Sequence, residues 1–186
     1  MPVLPPATFV RAYGFLTGAG NAGAGQRTQG AFPQYLGDRF GWEQMAATVA
    51  RVYASLPIEQ RARACIFTAN YGEASAFALY QQHYSLPPAV SGHNNYYLWG
   101  PGSCSGAVVI TVGRSLADNQ QTFAHIVQAA IITCAYCVPE ESAVPVYVCT
   151  QPKIPLAEAW RHTTGSAVAL VPPPRTAWKM GMTPRS

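Results

Sequence analysis

Side chains able to hold a polar ligand are concentrated in two short stretches of this 186-residue sequence, TANYGE at 68–73 and SGHNNYYLWG at 91–100. Asn70, Tyr71 and Glu73 in the first, with His93, Asn94, Asn95, Tyr97 and Trp99 in the second, combine amides, a carboxylate and an imidazole with flat aromatic faces. Such a set suits a sugar or a polar lipid headgroup, because rings cover apolar C–H surface while amides take the hydroxyls. Each residue also has a structural use. Asn70 and Asn94 can satisfy turn backbones, His93 can bond a carbonyl, and the aromatics can pack. The four histidines are far apart in sequence and no nucleophile–base–orienter set can be assembled, so no catalytic residue is assigned.

Three other motifs read as structural. Gly18 to Gly23 matches G-x-G-x-x-G, and Asp38 lies about twenty residues on, the spacing of a dinucleotide fingerprint. The residues that follow, AGQRTQGAFP, make a poor helix, so no helix N-terminus would meet a pyrophosphate, and the window is a linker. Cys134-Ala-Tyr-Cys137 is a C-x-x-C without the second pair that a zinc ribbon needs, and it follows an expected strand rather than opening a helix. Cys134 facing Cys149 across neighbouring strands is one possible disulfide; five cysteines leave at least one thiol over. Glu140 and Glu141, adjacent in an extended turn, point apart and make a poor acid/base pair. Neither a metal nor a cofactor is expected.

Composition narrows the class further. Charged residues are 11% and apolar residues 49%, which excludes a disordered chain or a coiled coil. The net charge of +4 comes mostly from scattered arginines, so no nucleic-acid footprint is expected. The N-terminus lacks a basic region before an apolar run, and no apolar stretch reaches the roughly eighteen residues of a membrane span. The expectation is a chain without signal peptide or transmembrane segment.

The elements that must position the two clusters follow from periodicity. Residues 1–30 are Pro-rich, then Gly-rich, and read as a linker; residues 31–161 carry the pattern of a folded domain; residues 162–186 read as a disordered basic tail. Trp42, Met45, Val49, Val52, Tyr53 and Leu56 draw one helical stripe that Pro57 ends. Strands are expected at 64–69, 89–91, 106–112, 129–133 and 145–149, with helices at 73–84 and 118–126. Alternating elements and continuous apolar strands predict an α/β fold, a mostly parallel sheet flanked by helices in a Rossmann-like three-layer arrangement, with disordered N- and C-terminal segments. Both clusters would then lie at carboxyl ends of strands, where open α/β sheets bind ligands.

Four linked motifs, FPQYLGDRFGWEQM, LPIEQRARA, IFTANYGEASA and SGHNNYYLWGP, together with PVYVC and PLAEAW, give the chain a family likeness over about residues 31–161. They resemble the C-terminal soluble region of bacterial membrane proteins related to glycosyltransferase family 39, the dolichyl-phosphate-mannose protein mannosyltransferases and lipid A aminoarabinose transferases. The resemblance implies an extracytoplasmic, periplasmic-side domain attached to, or partnering, a membrane-embedded glycosyltransferase region that takes sugar from a polyprenyl-phosphate donor. The family's catalytic carboxylate belongs to that membrane part and has no counterpart here. The implied role is non-catalytic recognition of the polyprenyl-phosphate sugar or the acceptor glycan; a free-standing carbohydrate or lipid-phosphate binding module is the alternative. The Gly-rich stretch at 17–30, Cys104, Cys134 and everything beyond Arg161 depart from the family pattern.

Overall fold

A computed structural model describes residues 5–17 and 37–163. Its elements, in order, are α1 (Pro6–Thr17), α2 (Trp42–Ser55), α3 (Ile58–Arg61), β1 (Ala64–Thr68), α4 (Tyr71–Tyr84), β2 (Ala89–Ser91), α5 (Asn95–Trp99), β3 (Val108–Val112), α6 (Leu116–Thr122), β4 (Phe123–Thr133), a 3₁₀ turn (Pro139–Glu141), β5 (Ala143–Pro152) and α7 (Leu156–Arg161). The five strands form one sheet in the order β2-β1-β3-β5-β4.

The α/β class holds, but the sheet is mixed rather than mostly parallel. β1 runs parallel to β2 and β3, whereas β5 is antiparallel to both β3 and β4. Continuous apolar strands arise from burial on both faces, and this does not fix strand direction. All five residues of β3 are buried, although one neighbour is parallel and the other antiparallel. β4 and β5 are joined by a short loop without a crossover helix, and only an antiparallel pair accepts so short a link. The helix expected at 118–126 is shorter and earlier: the Ser115 hydroxyl accepts the Asp118 N–H at 3.1 Å to start α6, and the strand begins at Phe123. The linker expected over 1–30 contains α1, which Pro6 opens at its first position, where a fixed φ favours a helix. Residues 18–30, with the G-x-G-x-x-G match, and residues 164–186 of the expected tail lie outside the described residues.

Alternation along the strands builds two cores. Ile66, Val108, Ile110, Val112, Val144 and Val146 face Met45, Val49 and Val52 of α2 and Phe77 of α4. Cys65, Val109, Tyr147 and Cys149 face the other way, against Phe123, Cys104, Phe67, Ile126 and Leu156. Gly41 precedes α2 with φ of 85°, and a Cβ there would come within 2.6 Å of the Cys137 sulfur, so the close approach requires glycine.

Candidate functional site

The parallel register sets Thr68 beside Ser91, so the chain leaves β1 and β2 on one rim of the sheet. The Ser91 hydroxyl donates to the Thr68 carbonyl at 3.1 Å, which ties the two strand ends together. From β1 the chain enters α4 on the first face. From β2 it enters α5, whose Tyr97 belongs to the second face, stacked on Trp160 at 6.0 Å. Both connections leave from the carboxyl ends of their strands, the end at which open α/β sheets hold ligands. The two sequence clusters meet there: the Tyr71 and His93 rings lie 5.3 Å apart, and the Ser75 and Tyr96 hydroxyls are 3.1 Å apart across α4 and α5.

The eight sequence candidates divide by role. The Asn70 side chain accepts the Glu73 N–H at 2.9 Å, and a Glu73 carboxylate oxygen accepts the Asn70 N–H at 3.2 Å. This reciprocal cap satisfies two donors that the start of α4 would otherwise leave open. Asn70→Ala is therefore expected to cost about 1 kcal/mol in denaturant unfolding, with Asn70→Asp retaining most of that stability; equal losses in the two variants would contradict the capping role. Tyr97 is also structural, since its carbonyl accepts the Trp160 indole N–H at 3.3 Å and its ring stacks inward. Tyr71 is 50% exposed beside His93, Asn94 and Asn95 are exposed, and Trp99 is 68% exposed. Asn94 holds a φ of 53° with a ψ of −139°, outside the left-handed helical basin in which asparagine is enriched.

Tyr96 and Leu98 complete the rim and were not among the candidates. Tyr96 lies against Trp99 with ring centroids 4.5 Å apart, and Leu98 is 67% exposed. Both sit in the same motif as Trp99, but only the helical turn of α5 shows that Tyr96, rather than Tyr97, shares its ledge. The His93 Nδ1 is enclosed and has no hydrogen-bond partner among the described residues.

Glu73 is 2% exposed and reaches toward Gly113 at the end of β3. Burial pushes its carboxyl up to about 7, aided by Glu141 and opposed by the Asn70 and Ala69 N–H groups. Arg114, half-buried over the Phe67 ring at 5.6 Å, is held below its usual range by desolvation. Glu141, in the 3₁₀ turn with Glu140, is raised by burial and then by Asp38 and Glu140.

The cysteines pair differently from the Cys134–Cys149 alternative. Cys134 bonds Cys137, Cys65 bonds Cys104, and Cys149 is free and buried. β4 and β5 do pair, but Cys149 faces Ile126, and Cys134 lies beyond the end of the ladder. Burial raises the Cys149 thiol to about 11, so it stays protonated and a poor nucleophile. No group of three metal-ligating side chains converges among the described residues, and no described helix is long and apolar enough to cross a membrane. Comparison with protein-family models, curated proteins and solved structures finds no match.

Proposed function

We propose that the β1/β2 rim recognises carbohydrate, and that the chain is the extracytoplasmic accessory domain of a lipid-linked-sugar glycosyltransferase. The observation that carries the reading is the Trp99–Tyr96 ledge of α5, with Trp99 68% exposed, on the helix that begins at the exposed Asn94 and Asn95 and touches α4, which carries Tyr71, through the Ser75–Tyr96 contact. A pyranose laid on Trp99 buries its C–H face while its edge hydroxyls reach amide groups. The family-39 resemblance supplies the kind of ligand, a polyprenyl-phosphate sugar or an acceptor glycan, and the membrane-embedded transferase region as partner. Two disulfides favour an oxidising compartment and so support the extracytoplasmic side.

Calorimetric titration with neutral oligosaccharides and a short-chain polyprenyl-phosphate sugar tests this reading. Trp99→Ala is expected to weaken binding by about tenfold or more, roughly the value of one well-placed aromatic contact, while leaving the melting temperature unchanged. Trp99→Phe should restore much of the affinity. Absence of saturable binding, or an affinity indifferent to Trp99→Ala, would remove the proposal.

A further inference from the structure

The far edge of the sheet has features that the rim does not use. Among the described residues β4 is the outermost strand, eleven residues long, and its sequence FAHIVQAAIIT contains no Asp, Glu, Lys or Arg. Val127 and Ile131 are 49% and 53% exposed. Sheets ordinarily blunt such an edge with short strands, lysines or prolines, because an open row of backbone donors and acceptors templates another strand. β2, the opposite edge, has three residues; β4 has only a register shift between Gln128 and Ala130. Beside β4 runs a groove of about 400 Å³, walled on one side by Gln44, Thr48, Arg51 and Ser55 of α2 and on the other by Ala129–Ile131 and Thr133. Its one charge is Arg51, whose guanidinium donates to the Thr48 hydroxyl at 3.0 Å. An edge strand with a helix beside it is the geometry that binds peptides by strand addition: the main chain pairs with the edge, and alternate side chains enter the groove.

We propose that β4 accepts an extended, acidic peptide strand from another protein, with a carboxylate seated opposite Arg51. Charge selects this occupant. A second copy pairing through β4 would present a strand without an acid. The chain's own residues 18–36 and 164–186 contain arginine and lysine but no aspartate or glutamate.

Two blocked, fluorescent nonapeptides, alternating valine with aspartate and valine with lysine, serve as probes on the full chain. The aspartate peptide should bind at least tenfold more tightly and shift the amide resonances of Val127–Thr133. Arg51→Glu should reverse the preference. Methylating the peptide's nitrogens along one edge should abolish binding, while methylating the other edge should spare it. Trp99→Ala should change none of this, which separates a failure here from a failure of the carbohydrate reading. The proposal is overturned by absence of binding, by a preference that survives Arg51→Glu, by equal effects of the two methylated edges, or by a dimer in sedimentation that Ile131→Lys dissociates.

Discussion

Glu73→Gln should stabilise the protein at pH 8 and leave its stability nearly unchanged at pH 4. The folded carboxyl titrates near 7 and the free one near 4.5. Between those values the folded chain keeps a proton that the unfolded chain has released. Raising the pH therefore works against the fold: the favourable contribution of the neutral acid is complete below about 4.5, fades through the window, and is gone above about 7. Ionised Glu73 then costs about 3 kcal/mol, the difference between the two pKa values converted to free energy. A glutamine carbonyl can still accept the Asn70 N–H, so the substitution removes the charge while keeping that bond of the cap. Denaturant unfolding at pH 4, 6 and 8 decides the matter. A stability difference independent of pH would mean that burial does not hold the proton on Glu73.

In the sequence that acid stands as a candidate ligand contact at the start of an expected helix, with nothing to mark it as buried. S/T/D/N-x-x-E spacing is a local signal, and Asn70 with Glu73 meets it; the packing that buries the carboxyl brings it against Gly113, forty residues away, which no local pattern reports. The same division runs through the fold. α2 was legible because its apolar stripe and Pro57 are local, and the meeting of the two clusters was legible because β1, α4 and β2 form one parallel crossover unit. β4 was not. As an edge strand it is exposed at Ala124, His125, Val127, Gln128 and Ala129, so its side chains never alternate cleanly and the first half passed for helix. Nor do Tyr96 and Tyr97 differ as types. Trp160, brought over by α7, draws Tyr97 inward and leaves Tyr96 to pair with Trp99.

Removing the Cys65–Cys104 bond should cost far more stability than removing Cys134–Cys137. The first closes a separation of 39 residues and the second only 3. If a crosslink acts mainly by limiting the unfolded chain, the long loop contributes about 4 kcal/mol and the short one about half of that. The long loop also contains α4, β2 and α5, so the bond ties the rim segment to the buried strand β1 through Cys104, which sits between α5 and β3. The C65A/C104A double variant should thus lose stability and also weaken carbohydrate binding, whereas C134A/C137A should do neither to the same degree. Urea unfolding of the parent and both double variants measures the first effect, and titration with the same sugars measures the second. Thiol counting checks the pairing itself: the unreduced parent should show one reactive thiol when denatured, Cys149, and almost none when native. Three or more thiols in the denatured parent, or equal losses in the two double variants, would contradict the assigned bonds or their role in holding the rim.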